Sequence, residues 1–191
     1  MTLGARFAHV LSAATEGADW AWAELYRDIA PRLLSFLRSQ GAADAEDCLG
    51  ETFVHLVRGL PAFRGGEADF RAWAFTVARS RLVDAWRRAD RRPSLPVADL
   101  ADARVPLDAA SAADDDLLRR ASVEEVLSTL TADQRTVLIL RVVHQFSVQE
   151  TARIIGKNEG AVKVLQHRAL ASLRRTLADD LRPGSLERAL G

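Results

Sequence analysis

Apolar residues recur every three or four positions along most of this chain, which is the spacing of amphipathic helices that share a buried core. The first such run extends from Trp20 to Leu37 and stops before Gly41. A second run begins after Asp44, a residue type that caps helices, and closes at Pro61. The pattern predicts an all-α protein.

A third predicted helix, from about residue 69 to residue 90, carries aromatic side chains among arginines. Its apolar positions are Phe70, Trp73, Val77, Leu82 and Trp86. Aromatic residues among cations most often form a core beneath a solvated face. Less often they form a platform on which an unstacked nucleic-acid base rests beside phosphate-binding arginines. The pattern alone leaves both interpretations open.

Residues 145–175 have the pattern of a helix-turn-helix. Ser147 and Glu150 have the spacing of a capping box at the start of one helix, and Gly156 ends that helix. Residues 157–160 make the predicted turn. Along the second helix, one apolar stripe faces inward and consists of Val162, Leu165, Ala169 and Leu173.

The outward face of this second helix is basic and carries Lys163, His167, Arg168, Arg174 and Arg175. Such a helix fits a DNA major groove, with its first turns near base edges and its cations near phosphates. Residues 135–175 hold eight Lys or Arg against two acids, although the whole chain has 26 basic and 26 acidic residues. The charge distribution therefore favours DNA binding over the alternative, a helical domain with a merely solvated basic face.

Composition divides the 191 residues into two small helical domains with three further segments. We expect one domain at residues 20–92 and the helix-turn-helix domain at residues 123–177. Residues 93–122 are rich in Pro, Ala and Asp without a sustained period, which predicts a flexible acidic linker. Residues 1–19 form the predicted N-terminal extension, and residues 178–191 the predicted frayed tail.

Several functional classes are disfavoured by the residue types present. The chain has no run of 18 apolar residues and no signal-peptide pattern, so we expect a cytoplasmic protein with no membrane insertion. Its one cysteine, Cys48, excludes an internal disulfide and fits a small apolar helix position. The four histidines lie far apart, and each is interpreted as a surface or boundary residue. We expect no catalytic residue, no metal site and no cofactor.

Three ordered segments, residues 44–65, 70–92 and 127–170, resemble the extracytoplasmic-function (ECF) sigma factors of the sigma-70 family. The resemblance implies a bacterial transcription initiation factor with two helical domains of the sigma-two and sigma-four types. Such a factor binds core RNA polymerase and directs it to promoters, where it recognises and melts the −10 element and reads the −35 element.

The resemblance assigns the first acidic block to the polymerase. Residues 45–58 match the segment that docks on the clamp helices of the β′ subunit, and the β subunit is a further implied partner. The implied core-binding residues are Asp44, Glu46, Asp47, Glu51, Phe53 and Leu56. Apolar residues with a charged rim have the composition of a protein interface, while the plain alternative is a solvated helix face.

The third helix and the loop before it would hold the −10 element, because a melted promoter needs a stacking surface and cations along the displaced strand. The implied −10 residues are Arg64, Arg79, Ser80, Arg81, Asp84, Trp86, Arg87 and Arg88. Ser80 departs from the Asn that family members often carry at this position.

The helix-turn-helix would read the −35 element. The implied contacts are Lys157, Asn158, Glu159, Lys163, Gln166, His167 and Arg168. The chain lacks an Arg that the family usually has in this helix, since residues 160–166 read Gly-Ala-Val-Lys-Val-Leu-Gln. Gln166 either bonds an adenine bidentately or is solvated.

The family resemblance also implies an anti-sigma protein as a partner that binds between or around the two domains. The competing function is a one-component helix-turn-helix regulator that is not a sigma factor. That regulator needs a ligand-binding or dimerising domain, where this chain has an acidic block and then an Arg- and Trp-rich helix.

Overall fold

The computed structural model describes residues 3–91 and 127–180, and every regular element in these two ranges is helical. The predicted linker, the tail beyond residue 180 and the start of the helix expected from residue 123 lie outside the described residues. We call residues 3–91 the N-terminal module and residues 127–180 the C-terminal module. The all-α prediction is confirmed.

The N-terminal module contains four α-helices, namely α1 (Phe7–Thr15), α2 (Asp19–Ser39), α3 (Ala45–Gly59) and α4 (Glu67–Arg91). Short 3-10 turns at Gly4–Arg6 and Leu60–Ala62 precede α1 and follow α3. The C-terminal module contains α5 (Ala132–Leu138), which continues as a π-helical turn at Ile139–Val143, then α6 (Val148–Ile155) and α7 (Glu159–Asp180).

Side-chain caps fix the helix starts that the sequence predicted. The Asp44 carboxylate accepts a hydrogen bond from the Asp47 backbone N–H at 2.8 Å, at the start of α3. Ser147 and Glu150 form the complete capping box at the start of α6. Gly156 ends α6 in the left-handed region, at φ 67°, where glycine avoids the steric cost of a Cβ.

The turn of the helix-turn-helix is shorter than predicted. Helix α7 begins at Glu159, so Glu159 and Gly160 belong to its first turn. The Asn158 side chain causes this early start, because its Oδ1 accepts from the Ala161 backbone N–H at 2.8 Å. The predicted apolar stripe is confirmed, since Val162 and Ala169 are fully buried and Leu165 and Leu173 are half-buried.

Helices α2, α3 and α4 pack around a core that includes Leu33, Phe36 and Phe75, with Cys48 as the small buried residue the sequence predicted. A second cluster joins α1 to α2 and to the start of α4. Its buried members are Phe7, Val10, Ala14, Ala21, Leu25, Leu60 and Phe70. Residues 3–18 are therefore packed into the N-terminal module.

The two modules pack against each other. Phe146 of the C-terminal module meets the Phe75 ring at 4.9 Å between centroids, and Thr136 donates to Gln40 across the contact at 2.7 Å. The interpretation of His144 as a surface or boundary residue is wrong. Its side chain is 7% exposed and lies against Phe36 and Phe75, because the aromatic rings of α2 and α4 cover the end of the π-helical turn.

None of the helices within residues 3–91 and 127–180 is long and apolar enough to cross a membrane.

Candidate nucleic-acid interface

The outer face of α7 presents the cations that the sequence placed there. Lys163, His167 and Arg168 are exposed, as are Arg174 and Arg175 two turns further on. Among residues 3–91 and 127–180, these five side chains have no carboxylate within ion-pair distance. The apolar stripe on the opposite side buries the helix in its module, so these cations face solvent.

Three predicted contacts lie at the entry to α7. Lys157, Asn158 and Glu159 are exposed, and the Lys157 Nζ lies 3.1 Å from the Asp133 carboxylate. The Asn158 side chain also caps the start of α7. These polar side chains therefore lie together at the N-terminal end of α7. That end of the helix would enter a DNA major groove first.

Gln166 differs from its neighbours on α7. It is half-buried, and its Oε1 accepts from the Arg141 Nε at 3.2 Å. Arg141 also donates to the Phe146 carbonyl oxygen, which ties the π-helical turn to the segment that leads into α6. A bidentate contact to adenine needs both the oxygen and the nitrogen of the Gln166 amide. In this structure the oxygen already accepts a hydrogen bond from Arg141.

Four arginines of α4 have carboxylate partners, whereas the arginines of α7 have none among residues 3–91 and 127–180. Arg81 lies 2.8 Å from Asp84, and Arg87 approaches the same carboxylate at 4.0 Å. Arg88 pairs with Glu51 of α3 at 3.1 Å. A groove of about 470 Å³ runs between α3 and α4 at this point, lined by Asp47, Gly50, Glu51, Val54, His55, Arg81 and Arg88.

Ser80 and Trp86 occupy different environments on α4. Ser80 is exposed, while Trp86 is half-buried and packs against the main core. Of the two interpretations of aromatic residues among cations, the half-buried Trp86 fits core packing.

The Asp133 carboxylate lies between the candidate DNA-binding surfaces of α4 and α7 and forms an ion pair at each. Its carboxylate lies 3.7 Å from Arg79 of α4 as well as 3.1 Å from Lys157. A second cross-module pair forms 3.4 Å apart between Arg153 of α6 and Asp69 of α4. The module contact thus places one carboxylate between a predicted −10 residue and a predicted −35 residue.

The loop of residues 63–66 is closely held by its surroundings. The Phe63 ring stacks on Trp73 at 5.2 Å and meets Phe70 edge-on. Arg64 folds back, and its Nη1 donates to the Pro61 and Phe63 carbonyl oxygens at 2.8 and 2.7 Å. Sequence reasoning missed Phe63, because it lies outside any helical repeat and only its aromatic type marks it.

The acidic face of α3 also includes residues that the sequence did not single out. Val54 and Val57 are exposed, and Tyr26 of α2, which is 48% exposed, contacts the half-buried Phe53 ring at 4.6 Å. Leu56, predicted to touch the polymerase, is instead fully buried, because it faces α4 in the core. The exposed apolar surface beside the acids is therefore formed by Tyr26, Val54 and Val57.

The four acids of this face have different partners. Asp44 caps α3, Glu46 pairs with Arg38, and Glu51 pairs with Arg88. Asp47 is exposed at the first turn of α3, where a carboxylate also favours the helix dipole.

Comparison with known families matches each module separately. Residues 25–92 match the family model for Sigma-70 region 2, and residues 120–173 match that for Sigma-70, region 4. The ECF RNA polymerase sigma factor BldN of Streptomyces coelicolor is 33% identical over 184 residues, which cover 93% of this chain and 68% of BldN. The chain belongs to the ECF sigma factors.

Two solved structures resemble this ECF sigma factor in fold. CnrH, solved in complex with the cytosolic domain of CnrY, gives a TM-score of 0.66 at 25% identity, covering 90% of this chain and 96% of CnrH. RpoE of Bartonella quintana, solved with the anti-sigma factor NepR, gives 0.65 at 26% identity, with 83% and 98% covered.

Family membership settles the general function. This ECF sigma factor is a transcription initiation factor that directs RNA polymerase to promoters, and the one-component regulator is not favoured. The N-terminal module corresponds to sigma region 2 and the C-terminal module to region 4.

Proposed function

We propose that α7 reads the −35 element, with Lys163 and Arg168 on phosphates and His167, Asn158 and Glu159 near base edges. The observation that carries this assignment is the exposed cationic face of α7, which has no ion pair within residues 3–91 and 127–180 and lies opposite a buried stripe in a complete helix-turn-helix. Cations without protein partners are free to replace the counterions of DNA phosphates. Lys157 would reach a phosphate after leaving Asp133.

We further propose that α4 and the loop before it hold the melted −10 element. Arg79, Arg81, Arg87 and Arg88 would follow the displaced strand, and the aromatic cluster beneath the loop would support a flipped base. Before the strand binds, Asp84 would hold Arg81 and Arg87 in place, because its carboxylate reaches both. Ser80 is exposed between these arginines and would face the same strand.

Binding at both elements requires an exchange of partners at Asp133. Arg79 and Lys157 share that carboxylate in the structure, so each must release it to contact a phosphate. The modules would separate when they bind two promoter elements. We infer that the closed arrangement is the form without DNA.

Core polymerase would dock on α3. Tyr26, Val54 and Val57 provide an exposed apolar centre, and Glu46, Asp47 and Glu51 provide an acidic rim. A partner of positive charge with an apolar centre would complement this surface. In this proposal, the half-buried Phe53 ring still contacts the polymerase. Leu56 supports the docking surface from the core of the module.

The proposal also covers catalysis and cellular location. The protein would have no catalytic activity of its own and would act in the cytoplasm, where bacterial RNA polymerase operates. An anti-sigma protein is a proposed partner, because the similar RpoE was solved in complex with one.

Run-off transcription with purified core polymerase on fragmented genomic DNA tests this function. We expect specific transcripts that depend on the protein and disappear with Arg87→Ala/Arg88→Ala or Lys163→Ala/Arg168→Ala. Arg174→Ala is the matched control, because it is an exposed cation on α7 about 16 Å along the helix from Lys163. If both double variants keep the transcripts of the wild type, the assignment of these surfaces is wrong.

A further inference from the structure

The segment before α2 lies against the elements that would hold the −10 element. Phe7 and Val10 of α1 are buried, and the Phe7 ring meets Phe70 of α4 at 5.7 Å. Phe70 in turn contacts Phe63 of the loop at 5.8 Å. A continuous set of aromatic contacts therefore runs from α1 to the loop of residues 63–66.

Glu67 ties this N-terminal segment to the start of α4. Its carboxylate accepts hydrogen bonds from the Leu3 and Gly4 backbone N–H groups, one on each oxygen, both at 2.9 Å. Hydrogen bonds to a charged acceptor are about twice as strong as neutral ones. Glu67 is the first residue of α4 and follows the loop directly, so any displacement of Glu67 moves the end of the loop.

The part of the loop next to Glu67 has little freedom to absorb such a displacement. Asp69 accepts from the Gly66 backbone N–H at 3.1 Å. A Cβ on Gly65, which has φ +152°, would stand 2.8 Å from the Asp69 Cβ, so the loop passes too close to α4 for a side chain there. The loop therefore moves together with the first turn of α4. The hydrogen bonds from the N-terminal segment to Glu67 hold that turn in position.

We propose that residues 3–15 are a positioning segment that fixes the loop of residues 63–66 and so sets which −10 base it accepts. Glu67 is its main positioning residue and acts through the loop. This inference rests on the proposed −10 function of α4 and its loop. A pocket for a flipped base discriminates well only when it is already in place, since small misplacements weaken the contacts that recognise the base.

The test measures base preference at the −10 element with reconstituted holoenzyme. Promoter variants with each base at the −10 positions are transcribed in competition, and the transcripts are sequenced. We expect Glu67→Ala to lower the preference for the favoured −10 base about tenfold, the loss typical of a charged hydrogen bond. Glu67→Gln keeps one acceptor oxygen and should lose less. Preference at the −35 element should stay as in the wild type.

The ratio of transcripts from promoters that differ at a −10 base distinguishes a positioning role of Glu67 from a role in folding. If Glu67 only stabilised the fold, Glu67→Ala would lower the active fraction equally for every promoter, leaving all preferences unchanged, and that result would overturn the inference. Glu24→Ala is the matched control, because it releases Arg6 from α2 and leaves both Glu67 hydrogen bonds in place. We expect wild-type −10 preference for this control.

The same assay distinguishes this inference from the proposed function. If Arg87→Ala/Arg88→Ala leaves transcription from these promoters intact, the −10 assignment of α4 fails. If that variant loses transcription while Glu67→Ala keeps its −10 preference, only the positioning role is wrong.

Discussion

The two proposed DNA-binding surfaces of this sigma factor differ in how their cations are held. On α4, the four arginines expected at the −10 element each lie within ion-pair distance of a protein carboxylate. On α7, Lys163 and Arg168 have no such partner among residues 3–91 and 127–180. On the proposed assignment, α7 would bind DNA without losing an ion pair, whereas α4 would exchange intramolecular partners for phosphates.

This difference follows from the neighbours of each helix. Helix α4 lies between the acidic α3 and the C-terminal module, so carboxylates reach it from both sides. Helix α7 has its outer face at the periphery. A paired arginine is held in place but must give up its ion pair to contact DNA, so the two helices should respond differently to mutation and salt.

The largest expected effect comes from breaking the module contact itself. Phe146→Ala removes a ring that is 3% exposed and packs on Phe75, and it should lower the free energy of unfolding by about 3–5 kcal/mol. Urea denaturation measures this decrease. Val164→Ala on the exposed side of α7 is the control and should change the same free energy by less than about 0.5 kcal/mol. Equal effects of the two variants would mean that the modules do not share a core.

Acidification should weaken the same contact through His144. Burial, followed by the nearby Arg32 on α2 and Arg71 on α4, lowers the pKa of His144 from 6.5 to about 4. Between these pH values the unfolded chain binds a proton that the folded protein excludes, so stability should fall as the pH drops through this window. The decrease approaches about 3 kcal/mol at the lower end.

The His144→Leu variant isolates this effect. It removes the titrating group, so the difference in unfolding free energy between wild type and variant should change with pH only between about 6.5 and 4. Denaturation series at several pH values supply the difference. A difference that stays constant over this range would show that His144 is not buried in its neutral form.

Salt dependence sharpens the contrast between the two helices. For each DNA phosphate that α7 no longer neutralises, the slope of log affinity against log salt should decrease by about 0.9. Lys163→Ala/Arg168→Ala should therefore reduce this slope more than Arg87→Ala/Arg88→Ala, whose arginines give up a carboxylate on binding. Holoenzyme binding to one promoter at several salt concentrations provides both slopes. A larger change from the α4 pair would reverse the comparison.

The smallest expected effect is at Asp133. Asp133→Asn frees Arg79 and Lys157 together and should raise promoter affinity by no more than about fivefold, since partly exposed pairs contribute ~0.2–1 kcal/mol. Asp19→Asn is the matched control, because Asp19 also lies in the first turn of a helix and is exposed. Weaker promoter binding by Asp133→Asn would show that its carboxylate supports DNA contact.

Local sequence signals predicted the helices well. Ser147, Glu150 and Gly156 fix the ends of α6 through contacts within a few residues, so their pattern alone was sufficient. The spacing of Val162 and Ala169 likewise identified the buried side of α7.

Contacts between distant residues were not predictable in this way. His144 looked like any polar residue in a turn, and only the packing of α2 and α4 over it reveals its burial. Asp133 and Arg79 are separated by the segment between the modules, so nothing in either local pattern indicates their ion pair. Glu67 likewise gains its role only because the chain returns residues 3 and 4 to the start of α4.

Run-off transcription on duplex and pre-melted templates tests the division of labour between the two helices most directly. Arg87→Ala/Arg88→Ala should lose transcription on duplex DNA and regain it when the −10 region is unpaired in advance. Lys163→Ala/Arg168→Ala should remain defective on both templates, because pre-melting does not replace contacts to the −35 element. If pre-melting rescues the α7 pair and leaves the α4 pair defective, the roles assigned to the two helices are wrong.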